Sequence, residues 1–214
     1  MSTDNPKNGR SFFHSESHLK RASSLLSKQT LEDLLYAALE FRYAVEARLI
    51  EYSEIAEGFI KNRSGMWKVK DIARHVDSVF SIEKAVYSIE ISSEKHLPNP
   101  IEIKYVPVPK EILKIVGRTD NFLHAKGASS LQMDEKRVQL RELLEEGVTL
   151  FTECISGGLY SPLIMDGDGF VKMVIDTEAH PELKRLLALG EPINMRVEVT
   201  PFIGSDDQET PDHN

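Results

Sequence analysis

Between residues 86 and 108 the spacing of apolar side chains changes from a helical period to strict alternation, so an all-helical bundle cannot account for this chain. The runs Tyr87-Ser88-Ile89-Glu90-Ile91 and Ile101-Glu102-Ile103-Lys104-Tyr105-Val106 carry β-branched and aromatic residues at every second position. In a strand those positions share one face. The stretch His96-Leu97-Pro98-Asn99-Pro100 separates the two runs, and together they predict a β-hairpin with a proline-containing loop over about 86–108.

Helical periodicity flanks this region. Thr30 stands before Leu31, Glu32 and Asp33 as an N-cap with an acidic third helical position. Leu31, Leu34, Leu35, Ala38, Val45, Leu49 and Ile55 then recur at helical spacing, which predicts a helix over about 31–61 that Asn62-Arg63-Ser64-Gly65 ends. A second helix, about 68–85, has Ile72, Val76, Val79 and Phe80 on one face, with Asp71, Arg74 and Asp77 turned away. Trp67 at its start reads as an anchor on the core rather than a stacking platform. Pro109 opens one or two helical turns, 110–116, that stop at Gly117. A long helix over about 132–156 follows, apolar at Val138, Leu144, Val148, Phe151 and Ile155.

After Gly157-Gly158 the chain reads as strand over 163–165, a turn at Asp166-Gly167-Asp168-Gly169 and strand over 170–175. A short helix opened by Pro181 and a last strand, Ile193 to Phe202, complete it. The expected class is α+β: a helical-bundle core with an inserted β-hairpin and a strand-rich C-terminal element. The expected division is a flexible arm over 1–21, a helical domain over 22–158, a β-rich extension over 159–203 and a disordered acidic tail over 204–214.

A chain of 214 residues can bury one good core. Its apolar runs are too short for a bilayer span, so no membrane partner is expected. The polar start from Met1 to Arg10 has no secretory pattern, which predicts a cytoplasmic protein. Cys154 is the single cysteine and reads as a small buried apolar residue rather than a reactive thiol. The formal charge of −8 argues against a broad basic surface of the kind that neutralises a nucleic-acid backbone. A nucleic-acid role therefore needs a local site.

The segment Gly117-Arg118-Thr119-Asp120-Asn121-Phe122-Leu123-His124-Ala125-Lys126-Gly127 gathers the residues best suited to chemistry. If it forms a helical cap or a bent helix, Arg118 and His124 come near enough to meet one substrate. An imidazole can move a proton, and a guanidinium can hold a phosphate.

Arg118 and His124, separated by five residues, resemble the mark of the HEPN superfamily, and Arg42 with Glu46 in the first long helix is a weaker echo of its Arg/Glu-bearing helix. The resemblance covers about 31–156 and leaves 159–202 outside. Thr119 departs from the Asn, Asp or His that the family tends to carry after the arginine, with Asp120 and Asn121 following instead. The resemblance implies a metal-independent endoribonuclease or RNA-binding protein of toxin or defence type, working as a homodimer whose subunits build one site, with no cofactor and no metal. It implies Arg118 and His124 as catalytic residues, and Asn121, Asp120, Thr119 and Lys126 as substrate-binding ones. His124 would take the ribose 2′-hydroxyl proton or donate to the leaving oxygen, Arg118 would offset the growing phosphate charge, and the product would be a cyclic phosphate.

The alternative is a non-catalytic interaction or regulatory module with a protein partner. There Arg118 caps a helix or pairs with a carboxylate, and His124 bonds a backbone carbonyl. Other candidates are weaker. His75 reads as a polar-face residue, and Asp4, His14, Glu16 and His18 as chance neighbours in the arm rather than metal ligands. The run Asp166 to Gly169 lacks the later ligands of a calcium loop. No phosphate loop, dinucleotide fingerprint or serine-hydrolase elbow occurs.

Overall fold

The computed structural model describes residues 14–28, 30–55, 85–130, 133–159, 164–165, 171–173, 175, 177, 179–190 and 192–201. The chain is α+β. Helices α1 (Ser15–Leu26) and α2 (Leu31–Ile55) are followed by strands β1 (Ala85–Ser93) and β2 (Leu97–Tyr105), then by α3 (Lys110–Leu123), α4 (Ala125–Ser130) and α5 (Asp134–Ile155). The pair β3 (Ile164–Met165) and β4 (Val171–Lys172), helix α6 (Pro181–Leu189) and strand β5 (Asn194–Pro201) complete the described chain. The helix expected over 68–85, Trp67, His75 and the Asp166–Gly169 turn lie outside the described residues.

The helical core is built on α2, whose N-terminus is fixed by Thr30. The Asp33 amide donates to the Thr30 hydroxyl oxygen at 3.1 Å, and that hydroxyl donates to the Asp33 carboxylate. Buried Leu34, Ala38, Phe41, Val45 and Leu49 form one stripe of α2, against which α1, α3 and α5 pack. Phe41 meets Phe151 of α5 edge to face, ring centroids 6.2 Å apart. Gly147 makes the crossing possible, because a Cβ there would stand 2.6 Å from Phe41 Cζ and 3.0 Å from Ile115 Cγ2.

The expected arm over 1–21 is corrected from Ser15 onward, where the chain is helical. Leu19, Ala22 and Leu26 are buried on one face of α1, a short stripe at helical spacing that the polar composition masked. Glu51 of α2 closes the α1 N-terminus, accepting hydrogen bonds from the Ser15 amide and hydroxyl at 2.9 Å each. Within hydrogen-bonding distance of Glu51 also lie His14 Nδ1 and the buried Arg48, both at 3.3 Å. Arg48 donates onward to the carbonyls of Cys154 at 3.4 Å and Leu159 at 3.0 Å, and stacks 4.8 Å from the Tyr52 ring centre. One guanidinium thus joins α2 to the end of α5 and the chain beyond it.

The hairpin forms with a shorter turn than the sequence suggests, since Leu97 to Pro100 belong to β2 and Ser93 faces Leu97. The C-terminal strand is not a separate extension: β5 pairs antiparallel with β1, giving one sheet of order β2-β1-β5. Ile89, Ile91, Ile103 and Tyr105 turn inward and are buried with the helical core. Cys154 is buried, as its apolar setting on α5 led one to expect. Among the described residues no helix is long and apolar enough to cross a membrane.

Candidate functional site

Helix α3 does not stop at Gly117 but runs on to Leu123. Ile112, Ile115, Val116 and Thr119 are its buried residues, a complete i, i+3, i+4, i+7 stripe, so tertiary packing carries the helix through the glycine. A Cβ at Gly117 would meet nothing within 4 Å, which means that glycine faces open space and breaks nothing.

This continuation decides where each expected site residue goes. Thr119 is the fourth member of the buried stripe, 0% exposed, and its hydroxyl donates to the Val116 carbonyl at 2.9 Å. The expectation that Thr119 binds substrate is therefore corrected, because the side chain presents no surface. Asp120 is half-buried and engaged within the fold: it accepts from Arg42 of α2 at 3.3 Å, and Arg42 also donates to Glu46 at 2.9 Å. Partial burial opposes the Arg42 charge, but the two carboxylates outweigh it and hold its pKa above the ordinary arginine value.

Arg118 and Asn121 lie off the buried stripe and are exposed. They share a cavity of about 310 Å³ with Phe122 and Gly127, and with Lys136, Gln139 and Leu143 of α5. Gly127 lets α4 fold back here, since a Cβ at that position would overlap the Asn121 carbonyl oxygen. The lining has two cationic groups, two amides and the apolar surfaces of Phe122 and Leu143. Lys136 Nζ donates to Gln139 Oε1 at 3.3 Å, which orients the far wall. Such a cleft suits a small anion attached to a flat or apolar body.

His124 is exposed and occupies the C-cap of α3 in an extended conformation, φ −79° and ψ 149°. It does not line the cavity. Six residues of helix separate positions by ~9 Å along the axis and by ~120° around it, so α3 presents Arg118 and His124 on different sides. The structure thus brings Arg118 together with Asn121, Lys136 and Gln139, and leaves the exposed His124 and Lys126 out of the cavity lining.

Lys136 and Gln139 went unnoticed in the sequence because they sit within the charged stretch of α5, where a solvated face is the ordinary reading. A second polar cluster was also missed. His18, 6% exposed, has Nδ1 2.7 Å from Glu40 Oε2, and Arg21 Nε donates to the same Glu40 oxygen at 2.9 Å. The i, i+3 spacing of His18 and Arg21 would have signalled it had α1 been recognised as a helix. Among the described residues no group of three or more His, Cys, Asp or Glu side chains is placed to hold a metal ion.

Comparison with protein-family models, with curated proteins and with solved structures gave no match to this chain.

Proposed function

We propose that this chain is an HEPN-like RNA-binding protein that holds single-stranded RNA by a phosphate at the Arg118 cavity and cleaves it without metal through His124. One observation carries the reading. Arg118 and Lys136 face a single cleft whose remaining lining offers amide donors and the partly buried ring of Phe122. A phosphodiester needs the cations, and an unstacked base favours an aromatic surface. The site is local, as the charge of −8 requires.

In the cleavage step His124 takes the 2′-hydroxyl proton, the 2′-oxygen attacks phosphorus, and the P–O5′ bond breaks. Water protonates the departing 5′-oxygen, and a 2′,3′-cyclic phosphate remains. Exposure of both Arg118 and His124 supports the reading, since neither side chain is committed to the core. RNA crossing from the cavity to the α3 terminus would meet both residues. A homodimer would meet the same need with the two residues drawn from different subunits.

A non-catalytic role is favoured by one specific observation, the position of His124 outside the cavity. In that reading Arg118 still binds an anionic partner, but no bond is broken.

Binding of a short fluorescent single-stranded RNA at low salt, followed by anisotropy, tests the first claim. Arg118→Ala should weaken binding at least tenfold with the melting temperature unchanged. Incubation of the same RNA in EDTA tests the second claim, with His124→Ala expected to abolish the cyclic-phosphate product. Absence of binding sinks the proposal, and binding without cleavage leaves the non-catalytic role in its place.

A further inference from the structure

Among the described residues, strand β5 leaves an edge of the three-stranded sheet open. On the opposite edge, Gly157 to Leu159 cover β2: Lys104 N–H donates to the Gly157 carbonyl at 2.5 Å, and Leu159 N–H donates to the Lys104 carbonyl at 3.2 Å. Beyond β5 no described strand continues the sheet. All eight residues of β5 are exposed.

The register shows what this edge carries. Met195, Val197 and Val199 stand opposite Ile91, Ile89 and Tyr87 of β1, so they lie on the inward, apolar face of the sheet. Yet they are 47%, 43% and 54% exposed, whereas Ile89 and Ile91 are fully buried. An apolar stripe on an open strand edge is a surface that soluble proteins ordinarily blunt or cover.

We infer that β5 is an interface for a second copy of this chain, joined edge to edge about a two-fold axis at Val197. The charge pattern selects that occupant. In antiparallel self-pairing centred on Val197, Arg196 of each chain faces Glu198 of the other, Met195 faces Val199, and Asn194 faces Thr200. Both ion pairs form at once, and the apolar stripe runs unbroken across the axis. Along one row of the outer face, Arg196 already has Glu90 beside it on β1 and gains a carboxylate on its open side. Glu198 has only the hydroxyl-bearing Ser88 beside it on β1 and gains a guanidinium. A symmetric closed contact needs a surface complementary to itself, and these residues satisfy that requirement. The sheet then has six strands, with β2 at both outer edges.

The test uses the full chain. Sedimentation should show a reversible dimer with a Kd of about 1–100 µM, as suits a single short strand pair. Arg196→Glu sets two carboxylates opposite each other at each end and should weaken the dimer at least tenfold. Glu198→Arg should do the same, and the double swap R196E/E198R should restore it. Circular dichroism checks that each variant folds. Should Arg196→Glu fail to fold beside Glu90, the Val197→Cys variant decides. At the axis its Cα atoms come ~4.5–5.5 Å apart, within disulfide range, so mild oxidation should crosslink it to its copy. Met195→Cys should not crosslink, since its copies are displaced by ~13 Å along the strands. A chain that stays monomeric at about 100 µM overturns the inference, as does a dimer in which Val197→Cys does not crosslink.

Discussion

Arg42 of α2 and Asp120 of α3 are joined by a charged hydrogen bond of 3.3 Å, across 78 residues of sequence. Asp120 precedes Asn121 on the helix that also carries Arg118, so this bond holds the wall of the candidate cavity against the core helix. Arg42 donates to Glu46 as well, and its removal would leave two carboxylates near one another. Because the three groups are each 19–33% exposed, solvent screens them and the cost is modest. Arg42→Ala should destabilise by about 1 kcal/mol in urea melts and weaken RNA binding to a smaller degree than Arg118→Ala.

Arg48 presents the opposite case, a guanidinium 2% exposed whose partners are Glu51 and two backbone carbonyls. Burial opposes its charge, but the neighbouring Tyr52 and Glu51 outweigh that and keep its pKa above the ordinary value, so it stays charged. Arg48→Ala removes the buried cation beside Glu51 and takes one donor from each of the Cys154 and Leu159 carbonyls. It should cost about 3–5 kcal/mol by chemical denaturation, several times the effect of Arg42→Ala.

The fold was legible wherever local chemistry and long-range packing agreed. The Thr30 cap, the alternation that made β1 and β2, and Pro181 at the start of α6 are local signals, and each element stands where its signal is. What could not be read depended on distant partners. Gly117 looks like a stop in isolation, yet Ile112, Ile115, Val116 and Thr119 bury a stripe that outweighs the ~1 kcal/mol by which glycine weakens a helix. Likewise, no feature of residues 194–201 announces that they pair with β1, a strand over a hundred residues earlier. For the site, Arg118 and Asn121 stood out by residue type, whereas Lys136 and Gln139 join them only through the crossing of α3 and α5.

That crossing turns on Gly147. Replacing it with alanine improves helix propensity by up to ~1 kcal/mol, but it drives a methyl into Phe41, whose ring is already held against Phe151. Overpacking of this kind costs about 1–3 kcal/mol, so Gly147→Ala should lower the melting temperature, and Phe41→Leu should recover part of the loss.

Two shifted groups contribute to the pH dependence of stability, one at each end. The Thr30 hydrogen bond, against slight desolvation, lowers the Asp33 pKa, so its contribution is full above the ordinary aspartate range near pH ~4 and is lost as pH falls through the folded value. Thr30→Ala should flatten that acid limb. Burial pushes the Cys154 thiol up to about 12, so the folded chain keeps its proton while the unfolded chain loses it. Stability from this group is complete below about pH 8.5 and falls by on the order of 1.4 kcal/mol per pH unit above it. Alkylation of Cys154 at pH ~8 should therefore be slow in the native chain and fast once it is denatured, and equal rates would contradict its placement.

The division of labour proposed between the cavity and the α3 terminus is tested by salt. If Lys136 contacts a phosphate, Lys136→Ala should weaken RNA binding without regard to sequence and reduce the slope of log K against log salt by about 0.7–1. His124→Ala should leave both the affinity and the slope near those of the parent, because His124 stands outside the cavity, while it removes cleavage. Phe122→Leu should lower affinity with the slope unchanged, since stacking releases no counterions. A slope unaffected by Lys136→Ala would place the RNA backbone elsewhere, and the cavity would then lose its role as the phosphate site.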